Sequence, residues 1–141
     1  MPIEILLVED SLADARLTKR ALLKCRVASN LHIVRDGVEA MAFVHKREPF
    51  ADAPRPDLIL LDLNLPRKNG RAVLAEIKSD ERLRSIPVVV LTTSVAPDDV
   101  QACYQLHANC FLVKPVDLAA FTTTILAIEE FWLTRATLPG A

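Results

Sequence analysis

The sequence predicts an α/β fold: one doubly wound parallel sheet with helices on both faces. Three observations lead there. Apolar runs alternate five times with segments of helical spacing along the 141 residues, the pattern of successive strand–helix units. The runs LILLDL at 58–63 and VVVLTT at 88–93 carry almost no polar alternation, as expected of strands covered on both faces. Connections are short except for residues 47–56, where REPFADAPRP holds three of the nine prolines and reads as a loop. One domain over residues 1–141 is expected, with a core at about 4–130 and a terminal helix and tail at 117–141.

The elements follow in order. MPIEILLVED holds the first strand. Ser11 is placed to cap a helix over Leu12–Leu23, in which Ala15, Leu17, Ala21 and Leu22 or Leu23 share roughly one face. Asp14, three residues past the cap, is a weaker capping-box partner. LHIV at 31–34 is a short strand, and Asp36-Gly37 is a turn that opens a helix from 38 to about 46. On that helix Met41, Phe43 and His45 read as core or solvated face, without a functional role. The third strand is LILLDL; residues 66–70 form a loop, and a helix covers 71–79. After the fourth strand, VVVLTT, Pro97 fits a first helical position, where its missing N–H is no loss, and the helix continues over 98–107. CFLV at 110–113 is the fifth strand, and Asp117 caps a last helix that reaches residue 131 or beyond.

Composition excludes several function classes. With 51% apolar and 25% charged residues the chain reads as a compact soluble protein. A net charge of −1 gives no bulk attraction to nucleic acid or to a membrane surface. The three cysteines, Cys25, Cys103 and Cys110, form no CxxC pair and read as free thiols in a reducing cytosol. No basic leader segment with a cleavage site precedes the first strand, and no apolar run approaches roughly 18 residues, so a cytoplasmic location is expected.

Four of the apolar runs end at once on a reactive polar group: ILLVED at 5–10, LILLDLNLP at 58–66, VVVLTTS at 88–94 and FLVKP at 111–115. As neighbouring parallel strands they would bring Glu9, Asp10, Asp62, Thr92 and Lys114 to one edge, where ligands of such sheets bind. Each residue alone has an ordinary reading. Asp10 suits a helix cap, Thr92 a hydroxyl bonded to local backbone, and Lys114-Pro115 a solvated amine and a turn. Asp62 is more telling, because an acid directly after a buried apolar run is costly without a partner. Three clustered carboxylates raise one another's pKa unless a cation joins them. Mg²⁺ resolves this: it takes one or two carboxylates at about 2.1 Å and keeps waters or phosphate oxygens for the rest. An aspartate beside such an ion is a known phosphoryl acceptor, and phosphoryl transfer needs mainly positioning and charge neutralisation. The ion, Lys114 and Thr92 would each take one equatorial oxygen. His32, His45 and His107 fall far from this edge, so neither a histidine base nor a histidine metal site is expected.

Taken in order and at strand ends, these residues resemble the response-regulator receiver domain of two-component signalling, over about residues 4–130. The resemblance implies a flavodoxin-like (βα)5 fold with strand order 2-1-3-4-5. It matches the family's acidic pair to Glu9 and Asp10, its phospho-accepting aspartate to Asp62, its switch hydroxyl to Thr92 and its lysine to Lys114. It implies that Asp62 takes a phosphoryl group from a phosphohistidine of a sensor kinase. Mg²⁺ would be bound by Asp10, Asp62 and the backbone carbonyl of Asn64, with Glu9 acting mainly through metal-bound water. It further implies a cis Lys114–Pro115 bond, a switch pairing Thr92 with Phe111, and a loop glycine at Gly70. Phe111 lacks a tyrosine hydroxyl, and His107, Ala108, Asn109 and Cys110 partly replace the usual small residues before the last strand. Asn64 and Ser94 stand at the two positions where the family tunes hydrolysis. The loop REPFADAPRP and the tail IEEFWLTRATLP resemble single-domain regulators paired with phytochrome-type histidine kinases, so no output domain is expected.

The chain is therefore expected to be a phosphorylatable switch rather than an enzyme, with a sensor histidine kinase as partner. A phosphohydrolase with an aspartyl-phosphate intermediate is disfavoured by Asn64, which stands where such enzymes usually carry a second acid. A non-phosphorylated interaction module is disfavoured by the complete set of site residues. In the last helix Leu118, Phe121, Ile125, Ile128 and Trp132 recur at helical spacing, with Leu126, Phe131 and Leu133 beside them. Core packing alone accounts for such a stripe; its width equally suits a homodimer through this C-terminal helix, with the fourth helix.

Overall fold

The computed structural model describes residues 2–25, 27–93 and 96–139. Its elements are β1 (Ile3–Val8), α1 (Leu12–Leu23), β2 (Ser29–Val34), α2 (Gly37–Val44), β3 (Leu58–Leu61), α3 (Gly70–Ser79), β4 (Val88–Thr92), α4 (Pro97–Gln105), β5 (Cys110–Val113) and α5 (Leu118–Ile128), followed by a π-helical segment, Glu129–Arg135. The five strands form one sheet in the order β2-β1-β3-β4-β5, and every neighbouring pair is parallel. Fold class and strand order are those expected.

Side-chain alternation explains why the strands read as unbroken apolar runs. Successive residues of a strand point to opposite faces. Leu6, Val8, Ile59, Leu61, Val88 and Val90 enter one core with α2 and α3 residues such as Met41, Phe43, Val73 and Ile77. Ile5, Leu7, Leu58, Leu60, Val89 and Leu91 enter the other, with Ala15, Ala21 and Leu22 of α1 and Phe121, Ile125 and Ile128 of α5. Each buried Leu, Ile or Val stabilises the fold by about 1.5–3 kcal/mol before entropy is counted.

The helix starts follow their cap residues. Ser11 Oγ accepts from Asp14 N–H at 3.2 Å, Asp36 Oδ1 from Glu39 N–H at 2.8 Å, Asn69 Oδ1 from Ala72 N–H at 3.0 Å and Asp117 Oδ1 from Ala119 N–H at 3.2 Å. Two helix ends come earlier than expected. α2 stops at Val44 instead of about 46, and α4 at Gln105 instead of 107. Both close by the same device. Lys46, with φ 54°, and His107, with φ 70°, take the left-handed conformation after the helix. Lys46 N–H donates to Phe43 O at 3.1 Å and Arg47 N–H to Ala42 O at 2.8 Å; His107 N–H donates to Tyr104 O at 3.0 Å and Ala108 N–H to Cys103 O at 2.9 Å. These are Schellman closures with lysine and histidine in the position glycine usually fills.

The last helix also departs from expectation. It is α-helical to Ile128, and Ala136 N–H then bonds Phe131 O at 2.7 Å, five residues back. Leu133, expected beside the inward stripe, is buried, and Trp132 packs with it against the α1–α5 core. The wider turn thus brings adjacent residues to the same core. Leu118, expected in the inward stripe, is exposed. The 47–56 loop is held at both ends: Phe50 packs its ring 5.5 Å from that of Phe43, and Arg55 donates to Arg82 O and Ser85 Oγ. Among the described residues no helix is long and apolar enough to cross a membrane.

Candidate acidic site at the carboxyl edge of the sheet

The strand register levels the acids. Val8 pairs with Leu61, so Glu9 and Asp62 leave β1 and β3 side by side, and Asp62 N–H donates to Val8 O at 3.1 Å. β4 and β5 extend the edge: Thr92 pairs with Val113, and Lys114 N–H donates to Thr92 O at 2.7 Å. All four strand ends expected to converge do so.

Lys114 is the centre of the cluster. Its Nζ donates to Glu9 Oε2 at 2.6 Å, Asp14 Oδ2 at 2.9 Å and Asp62 Oδ2 at 3.0 Å. Lys114, Glu9 and Asp62 are buried, whereas Asp10 is exposed. Glu9 Oε1 also accepts from Ser11 N–H at 3.1 Å, and Asp62 Oδ1 accepts from Asn64 N–H at 3.1 Å. Burial pushes the Glu9 carboxyl up to about 7, with the Asp62 charge adding to it and the Lys114 and Ser11 bonds opposing it. Burial works against the Lys114 ammonium, but the hydrogen bonds and charges of the carboxylates outweigh it and hold its pKa above the ordinary lysine value.

Glu9, Asp10 and Asp62 each offer an oxygen within 4.8 Å of the others. Glu9, Asp62 and Asp14 share the Lys114 ammonium, and Asp10 adds a further carboxylate beside them, so the donor set is hard, oxygen-rich and short of positive charge. It fits a divalent cation. Thr92 Oγ1 is fully buried and has no hydrogen-bond partner among the described residues. A buried unpaired hydroxyl costs about 1–3 kcal/mol, and this is the group expected to donate to a bound phosphoryl oxygen.

The loop after β3 is shaped by close backbone approach. A Cβ on Gly70 would lie 2.2 Å from Asp62 O, and one on Gly37 would lie 2.0 Å from Lys68 O. Any side chain at Gly70 would therefore displace the backbone that carries Asp62. Arg67, with φ 65°, reaches back to Asp36 Oδ2 at 3.2 Å and ties this loop to the start of α2.

The Lys114–Pro115 bond is trans, not cis; among the described residues the cis bond is Glu48–Pro49. The isomers of an X-Pro bond differ by only about 0.5–1 kcal/mol, so local packing rather than residue type selects between them. Phe111 is half-buried against the core that α2, α3 and α4 share, and its backbone N–H donates to Tyr104 Oη of α4 at 3.1 Å. Ser94 lies outside the described residues. One site residue was not foreseen. Asp14, read as a capping partner, sends its carboxylate to Lys114; the signal that would have found it is an acid in the first turn of the helix that directly follows the Glu9-Asp10 strand end.

The chain belongs to the response regulator receiver domain family, whose model matches residues 5–126; it is a response regulator of two-component phosphorelay signalling. It is 53% identical over 140 residues to the response regulator Rcp1 of Synechocystis sp., covering 99% of this chain and 95% of that protein. The crystal structure of the Mn²⁺-bound form of Rcp1 superposes with a TM-score of 0.96 at 52% identity, over 99% of this chain and 100% of that one. The phosphorylated cyanobacterial phytochrome response regulator RcpA does so with 0.97, also at 52% identity, over 99% and 100% of the two chains.

Proposed function

We propose that this chain accepts a phosphoryl group on Asp62 from the phosphohistidine of a phytochrome-type sensor histidine kinase, and that the modification changes its partner-binding surface. One observation carries the reading: the Asp62 carboxylate stands 3.0 Å from a buried ammonium, inside an acid cluster suited to a divalent cation. In the transfer an Asp62 oxygen bonds to phosphorus, the phosphorus–nitrogen bond to the kinase histidine breaks, and the electron pair leaves with the imidazole. Asn64 N–H holds one carboxylate oxygen and Lys114 the other, so the nucleophile is oriented before the donor arrives. Mg²⁺ is the proposed ion; Asp10, Asp62 and the Asn64 carbonyl would hold it, with Glu9 assisting, and it would supply charge neutralisation for the transferring group. Thr92, whose hydroxyl awaits a partner, and Phe111 form the proposed switch. The phytochrome link rests on likeness to RcpA and Rcp1.

Phosphotransfer from a panel of kinases that includes a phytochrome-type member tests this directly. Label should enter the wild type only with Mg²⁺ present and should be lost in Asp62→Asn. Label that persists in Asp62→Asn would overturn the assignment of the acceptor.

The second proposed partner is another copy of the chain. Leu118 and Phe131 are exposed at the two ends of the C-terminal helical region, which supports a homodimer through that region. A cytoplasmic place belongs to the same proposal.

A further inference from the structure

An ammonium has three N–H bonds, and each of those on Lys114 is given to a different carboxylate: Glu9 at 2.6 Å, Asp14 at 2.9 Å and Asp62 at 3.0 Å. A phosphoryl group on Asp62 can reach this ammonium only if one of the three bonds is given up. The bond to Asp62 is the one the reaction itself releases. Once that carboxylate is bonded to phosphorus, its charge lies on the phosphoryl oxygens, and the N–H finds a stronger acceptor there. The other two bonds then determine where the ammonium sits.

Glu9 cannot fix it alone. One bond leaves the flexible four-carbon stem free to pivot, and Glu9 also belongs to the acid group suited to the cation. Asp14 stands outside that group and is free for the ammonium. It sits on a stiff platform, the first turn of α1, where its N–H is capped by Ser11 at 3.2 Å and its carbonyl accepts from Thr18 Oγ1 at 2.9 Å. Its side chain takes no part in capping the helix, so it is a spare acid directed at Lys114.

We propose that Asp14 is a positioning residue for phosphoryl transfer: its bond to Lys114 anchors the ammonium from α1, so that the third N–H stays aimed at Asp62 and then at the phosphoryl group. The inference rests on Asp62 as the acceptor. Asp14 also brings a negative charge toward an incoming anion, which acts in the opposite sense. Its side chain is 30% exposed while Lys114 is a direct neighbour, so water screens the repulsion more than the anchor, and anchoring prevails.

The test uses the full chain at saturating Mg²⁺ with phosphoramidate, a small donor that needs no kinase docking. Phosphorylation rates are compared for the wild type, Asp62→Asn, Asp14→Ala, Asp14→Asn and Asp14→Glu, alongside Mg²⁺ affinity by calorimetry. Asp14→Ala should slow the rate by about tenfold, the effect of one charge-assisted bond. Asp14→Asn, which keeps an acceptor but loses the charge, should fall between, and Asp14→Glu should recover most of the rate. Mg²⁺ affinity should stay within about twofold throughout, since Asp14 is not in the cation group. Should Asp14→Ala not fold, the isosteric Asn variant decides alone. Asp14 variants as fast as or faster than a wild type that labels normally would overturn the anchoring role and leave Asp62 as acceptor. A wild type that takes no label, or an Asp62→Asn that does, removes both readings together.

Discussion

Glu9 shows how a single residue carries a pH dependence. Burial and the nearby Asp62 charge push its carboxyl from 4.5 up to about 7, so the folded chain binds this proton more tightly than the unfolded chain does. The contribution therefore favours folding below about 4.5 and is lost as pH rises toward 7. With chelator present, the stability of the wild type relative to Glu9→Gln should decline between pH 5 and pH 8, measured by thermal melts of both proteins; added Mg²⁺ should restore the wild type at pH 8. A difference that stays flat with pH would show that Glu9 is not held in this state. At this scale the sequence was a good guide to identity and a poor one to bonding. Glu9, Asp10, Asp62, Thr92 and Lys114 were legible because each ends an apolar run. The three-way contact of Lys114 was not, because it depends on side chains from α1, β1 and β3 meeting in space.

Element ends follow a different logic. Starts were legible because Ser11 and Asp117 advertise their capping chemistry and Asp36-Gly37 reads as a turn, although Asp36 proves to be the cap itself. The ends of α2 and α4 were not, because the residues in the left-handed position are Lys46 and His107, and the sequence signal for that position is glycine. A side chain there costs about 1 kcal/mol. His107→Gly should accordingly raise unfolding stability by about 1 kcal/mol in urea titration, with phosphoryl acceptance unchanged; a loss of stability would mean that the histidine side chain compensates for its backbone. The strands illustrate the opposite case. Four apolar residues in a row at Leu58–Leu61 serve two cores alternately, so an absence of pattern was itself the signal.

At the scale of the whole molecule, the terminal helix keeps part of its apolar surface on its outward side. Phe121, Ile125, Ile128 and Leu133 are committed to the core, whereas Leu118 and Phe131 are not. The stripe is thus divided between core packing and an exposed remainder, a division that helical spacing alone could not make. If that remainder joins two copies, light scattering after size-exclusion chromatography should give a dimer mass for the wild type and a monomer mass for Phe131→Glu. A dimer that survives this change would place the contact elsewhere. The receiver reading does not depend on the outcome, since the acidic edge is built within one chain.

By itself the sequence determined the fold class, the order of the elements and the five polar residues at the strand ends, because periodicity and strand-terminal position are local properties of the chain. Tertiary structure decided which carboxylates share Lys114, which isomer Lys114–Pro115 adopts, how a phenol from α4 comes to meet Phe111, and which apolar residues of the last helix stay outside. Those outcomes are set by distances between segments far apart in sequence and by small free-energy differences that packing alone resolves.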